Sequence, residues 1–112
     1  MKFDKIKSLL PDYAKDIKLN LSSLSNETIL EKTTFAGTAL TSSITTQNRL
    51  LTENIAEEAK EILSDKEFSA SYTAASLMAM NNIYYRSIHL ISNKNYQSCL
   101  LYTSDAADEK RW

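Results

Sequence analysis

One cysteine, Cys99, and one histidine, His89, are the residues of this 112-residue sequence best suited to nucleophilic or metal chemistry. A lone thiol cannot close an internal disulfide or build a cysteine-based structural zinc site. A lone imidazole leaves little for metal ligation or a histidine-centred triad. Gly37 is the only glycine, so neither a P-loop nor a dinucleotide fingerprint can be assembled. The residues therefore assign no catalytic side chain, no cofactor-binding residue and no metal ligand, and no cofactor is expected.

The remaining polar and sulfur side chains have ordinary structural readings. His89 falls near the end of an apolar helical stretch and reads as a packing or last-turn histidine. Arg86 is the one charge in a long neutral segment. It either pairs with an acid from elsewhere or reaches to solvent along its own stem. Asn81 and Asn82 sit mid-helix against propensity, which suggests buried hydrogen bonds to another segment, with simple exposure as the alternative. Met78 and Met80 read as gap-filling core residues, and Tyr84 and Tyr85 as core or interface aromatics with a polar tip. Gly37 costs ~1 kcal/mol against alanine inside a helix, so close packing against another helix is its expected reason.

Helices must position these residues. Valine is absent, while leucine, isoleucine, alanine, lysine, glutamate and serine are plentiful, a composition for helices rather than strands. A short turn or helix over Phe3–Leu10 precedes Pro11, which fits the first position of a helix. That helix, Pro11–Leu24, carries Tyr13, Ala14, Ile17, Leu21 and Leu24 at helical spacing. Ser25 and Asn26 stop it and supply a cap for a second helix from about Glu27 to Thr46. Gln47-Asn48 punctuate. A third helix, about Arg49–Leu63, is amphipathic, with Leu51, Ile55, Ala59, Ile62 and Leu63 on one face. Ser64-Asp65-Lys66-Glu67 matches a capping box and opens a long fourth helix, about Asp65–Ile91. Its expected apolar face is Phe68, Tyr72, Ala75, Ala79, Ile83 and Leu90. The fold class is all-α.

Charge bounds the partners. The formal net charge of −1 argues against nucleic acid or an anionic membrane. Residues 33–68 hold 3 basic and 6 acidic groups, a sum of −3, read as the solvated face of the third helix. The start, MKFDKIKSLLPDY, holds no apolar run long enough for a signal peptide, and the two nearly uncharged stretches are too rich in Thr, Ser and Asn to span a bilayer. A cytoplasmic location is expected.

Two recognitions complete the reading. Leu10–Ser23 (LPDYAKDIKLNLSS) and Met78–Arg86 (MAMNNIYYR) resemble the alkyl hydroperoxidase D proteins, a branch of the carboxymuconolactone decarboxylase-like superfamily. The resemblance covers residues 1 to about 97, roughly the N-terminal half of such a protein. It implies a truncated helical bundle of that type and, for the whole protein, a homotrimeric antioxidant oxidoreductase. That enzyme would be a thiol-dependent peroxidase that regenerates a partner peroxiredoxin with electrons from a lipoyl-bearing acyltransferase. The family's chemistry lies in a Cys-x-x-Cys-x-x-x-His motif with an upstream glutamate, and none of it maps onto this chain. The second recognition is Cys99–Glu109 (CLLYTSDAADE), which resembles the translation of a transposon adapter used in sequencing libraries. Residues 1–98 are therefore expected to be the family-like half and residues 99–112 a non-native tail, with a genuine short amphipathic tail bearing a free thiol as the alternative. The piece itself is expected to be inactive. A cysteine-free decarboxylase-like enzyme and a non-catalytic helical interaction module are the alternatives.

Overall fold

The computed structural model describes residues 1–91, and every regular element among them is helical. In order these are α1 (Asp4–Leu9), a single 3-10 turn (Asp12–Ala14), α2 (Lys15–Ser25), α3 (Lys32–Thr45), α4 (Arg49–Lys60) and α5 (Asp65–Ile91). The chain divides into two compact units, Met1–Ala75 and the part from Ser76 on, and α5 contributes to both.

The first unit is organised around an α3–α4 hairpin. Three residues join the two helices. Gln47 turns the chain with φ 58°, in the left-handed region that helix C-termini use. Asn48 then caps α4, its side chain accepting from the Leu51 amide at 3.0 Å. Thr52 Oγ1 donates to the Ser43 carbonyl at 3.0 Å, fastening α4 back onto α3. Between the helices lies a core of Phe3, Ile6, Ala36, Leu40, Ile55, Ala59 and Leu63. Phe3 and Phe35 rings pack with centroids 6.2 Å apart. α4 ends at Lys60, short of the expected Leu63, but the expected face is the buried one: Ile55, Ala59 and, past the helix end, Leu63 are buried, and Leu51 and Ile62 are partly so.

Three sequence expectations need correction. The second helix begins at Lys32 and not at Glu27. Glu27 Oε1 accepts from the Ile29 amide at 2.6 Å, and this local side-chain bond holds a turn where a helix was expected. Pro11 is not inside a helix; its extended backbone (ψ 163°) precedes the 3-10 turn, and its carbonyl accepts from the Ala14 amide. The apolar residues of the first segment are mostly uncovered: Ala14 is buried and Leu21 partly so, but Tyr13 is 91% exposed and Ile17 and Leu24 are exposed.

The long helix has the expected ends but not the expected face. Ala75 is buried and Phe68 partly so, whereas Tyr72 and Ala79 are exposed and Ile83 and Leu90 are each 68% exposed. The buried positions Ser71, Ala75 and Asn81 are small or polar. Alanine, serine and methionine are interspersed with isoleucine, leucine and tyrosine around this helix, so hydropathy has little contrast with which to select a face.

Candidate functional site

The residues singled out for chemistry fall on the second half of α5. Asn81 is 1% exposed and Asn82 is exposed, so of the two only Asn81 is a buried amide. Tyr84 and Tyr85 meet edge to face, with centroids 5.3 Å apart. Met80 is partly buried, but Met78 is exposed, which corrects its reading as a core filler. Arg86 and His89 are both exposed and stand one helical turn apart. Cys99 and the rest of the expected tail lie outside the described residues. Among the described residues no three His, Cys, Asp or Glu side chains are grouped to hold a metal ion. No helix among them is long and apolar enough to cross a membrane.

A cluster of charge lies along α1 and α4. A groove of about 430 Å³ is lined by Lys2, Asp4, Lys5, Glu57, Glu58 and Glu61, among others. Glu58 Oε1 accepts two main-chain hydrogen bonds, from Lys2 at 2.8 Å and Phe3 at 3.2 Å. Lys5 Nζ reaches Glu57 Oε2 at 3.1 Å on the exposed rim. Reading the α4 acids as one solvated face missed the inward use of Glu58. The lysines of the opening segment signal only the Lys5–Glu57 pair; Glu58 is bound by main-chain amides, which no residue type announces.

Two further polar arrangements fix helix ends. Ser64 and Glu67 form the expected capping box: the Glu67 amide donates to Ser64 Oγ at 3.1 Å, and the Ser64 amide donates to Glu67 Oε1 at 2.8 Å. The Ser64 backbone N–H, and then its hydroxyl, hold the Glu67 carboxyl below its ordinary value. At the start of α4, Arg49 Nε donates to Glu53 Oε1 at 2.7 Å, which raises the guanidinium's already high value.

Gly37 sits on a shallow groove lined by Thr33, Thr34, Thr38, Thr41 and Ser42 of α3 and by Ser71 of α5. A Cβ at Gly37 would meet Ser71 Oγ at 3.5 Å, an ordinary contact. Thr41 Oγ1 donates to the Ser71 carbonyl at 3.1 Å beside it. Close packing therefore does not require glycine here, which corrects the sequence reading: the groove leaves space for one methyl group.

These residues make a helical scaffold in which α4 and α5 have capped N-termini. Its one thiol lies outside the described region, so the scaffold's chemistry must be judged through relatives. No family model matches the chain. Curated relatives do. It is 44% identical over 91 residues to the alkyl hydroperoxide reductase AhpD of Gluconacetobacter diazotrophicus, covering 81% of this chain and 50% of that protein. To the AhpD of Streptomyces coelicolor it is 42% identical over 96 residues, covering 86% and 54%. To that of Corynebacterium kroppenstedtii it is 49% identical over 86 residues, covering 77% and 49%. The chain spans about half the length of these curated relatives. Across most of its own sequence, then, this chain is a half-length relative in the alkyl hydroperoxide reductase AhpD family.

Proposed function

We propose that this chain is the scaffold-forming half of an antioxidant alkyl hydroperoxide reductase, and that the reactive thiols belong to sequence it does not contain. The observation that carries this reading is the 42–49% identity to three AhpD proteins over 86–96 residues. In the chemistry the family resemblance implies, one thiolate attacks the peroxide and becomes a sulfenic acid as the alcohol departs. A second thiol displaces water from that sulfur and closes a disulfide, which a dithiol donor then reduces. A neighbouring histidine and glutamate remove the proton that would otherwise keep the first sulfur a thiol. Two thiols are required, and Cys99 is the only cysteine present.

On the same reading the whole protein works as a cytoplasmic homotrimer, serving a peroxiredoxin and drawing electrons from a lipoyl-bearing acyltransferase. Residues 99–112 are a non-native addition. Independent reads of the genomic sequence downstream of codon 98 test this. A continuation bearing Cys-x-x-Cys-x-x-x-His is expected. A helical continuation without the cysteine pair would overturn the peroxidase reading, and a stop codon near residue 112 would make the chain a self-contained module.

A further inference from the structure

α1 is a short element with an unusual mode of attachment. It has 6 residues, and no side chain caps its N-terminus. A helix this short does not hold itself together in water, so its order is borrowed from what it touches. Its N-cap residue, Phe3, adopts φ 57° and ψ 27°, a left-handed conformation that costs a non-glycine residue energy. Beyond it, Leu10 and Pro11 are extended, at ψ 139° and 163°, and lead away from the helix without continuing it.

The polar ties of this segment to the remainder of its unit converge on two adjacent residues of α4. Lys5 pairs with Glu57 at a site where both side chains are about two-thirds exposed (67% and 65%), a weak link. Glu58 Oε1 alone takes the amides of Lys2 and Phe3. The apolar hold consists of Phe3 and Ile6, both buried in the cluster that includes Ala36, Leu40, Ile55 and Ala59, with Met1 partly buried against it.

We infer that α1 is a strap that opens from α4 as a unit, ahead of the α3–α4 core beneath it, with Glu58 as its latch. Opening relieves the left-handed turn at Phe3 and withdraws Phe3 and Ile6, with Met1, from the core. The two helices keep their own connections, Thr52 to Ser43 and the Asn48 cap. Small units with few attachments are the ones that open locally in native proteins. Glu58 is accordingly a positioning residue for the N-terminal segment.

Amide hydrogen exchange on the full chain, read by NMR, tests the strap. The Lys7 amide is bonded to the Phe3 carbonyl at 3.0 Å and reports α1. The Leu63 amide is bonded to the Ala59 carbonyl at 2.8 Å and reports the core beneath. In the unaltered chain Lys7 should exchange faster than Leu63 after correction for intrinsic rates. In Glu58→Ala it should exchange about tenfold faster still while Leu63 is unchanged, the effect of losing charge-assisted hydrogen bonds at one element only. Glu57→Gln, which removes the rim pair alone, should move neither. Equal protection of Lys7 and Leu63 in the unaltered chain would overturn the proposal, as would a parallel rise of both in Glu58→Ala or no rise at Lys7. Should Glu58→Ala fail to fold, exchange of the unaltered chain in increasing urea decides. A strap requires Lys7 to open at a denaturant concentration that leaves Leu63 closed.

Discussion

Phe3 and Glu58 are joined across 55 residues of sequence by one hydrogen bond, from the Phe3 amide to Glu58 Oε1 at 3.2 Å. The bond settles where the chain begins its path over α4. It holds a phenylalanine in a backbone region that phenylalanine seldom visits, and it sets that ring into the core beside Phe35. Burial of a large aromatic outweighs the local backbone cost, since filling this site contributes about 3 kcal/mol or more. Phe3→Ala should therefore lower unfolding free energy by about 3 kcal/mol in urea titration, whereas Tyr13→Ala, at a side chain almost wholly in solvent, should change it by less than about 0.5 kcal/mol. Equal losses for the two would show that Phe3 is not seated as described.

Gly37→Ala should stabilise the chain. The new methyl meets Ser71 Oγ at an ordinary 3.5 Å, and alanine recovers about 0.5–1 kcal/mol of helix preference. Gly37→Leu should destabilise it, because the longer side chain must displace the Thr41–Ser71 contact. A lower melting temperature for the alanine variant would mean that α3 and α5 approach more closely than this.

The Ser64–Glu67 box gives a pH dependence of known sign. The folded state lowers the Glu67 value, so the fold favours the carboxylate. That contribution is complete above the ordinary carboxyl value and disappears as pH falls through the lowered one. Ser64→Ala should cost about 1 kcal/mol at neutral pH. Glu67→Gln keeps an acceptor for the Ser64 amide but cannot titrate. Its stability profile from about pH 6 down to about pH 3 should be flatter than that of the unaltered chain. A profile of unchanged slope would remove Glu67 from the acid response.

No turnover of an alkyl hydroperoxide with reduced lipoamide is expected from this chain. A single thiol has no partner with which to close the disulfide that the cycle needs. Steady turnover surviving Cys99→Ser would contradict the scaffold reading outright. Turnover abolished by Cys99→Ser would instead identify a one-cysteine peroxidase.

Ile83, Leu90 and Ile91 leave the second half of α5 with an exposed apolar surface, of the kind that binds hydrophobic dyes or promotes association. Dye fluorescence should rise on mixing with the chain, and Ile83→Glu together with Leu90→Glu should suppress it. Dye binding that persists in the double variant would locate the apolar surface elsewhere, with α2 the next place to look. Removing Cys99–Trp112 should leave the melting temperature unchanged; a loss of more than about 1 kcal/mol would mean that the tail is a native packing element.

Legibility in the sequence followed contrast. α4 alternates glutamates with aliphatic residues, and its buried face is the one that alternation predicts. The capping box and Asn48 are readable because their bonds are made within a few residues of chain. The non-helical turn after Asn26 and the uncovered face of α5 are not readable in that way. The first depends on Glu27 bonding forward to Ile29 rather than supporting a helix start. The second depends on which neighbours are present, and a helix whose apolar and small residues are spread over every side offers no internal preference. Glu58 was hidden by its company: it is one of a run of acids, and only its position opposite Lys2 and Phe3 sets it apart.

The three-residue link between α3 and α4 also bears on the order in which the molecule assembles. Its closure costs little entropy, and the contacts it brings together are near in sequence. Thr52 finds Ser43, and Leu51 finds Asn48, without any help from α1 or α5. During synthesis the α3–α4 hairpin leaves the ribosome ahead of the exposed apolar turns of α5. The nascent chain thus acquires a nucleus before it presents its most aggregation-prone surface. Folding rates should accordingly fall with Leu40→Ala or Ile55→Ala and stay nearly constant with Phe3→Ala, which would act on unfolding.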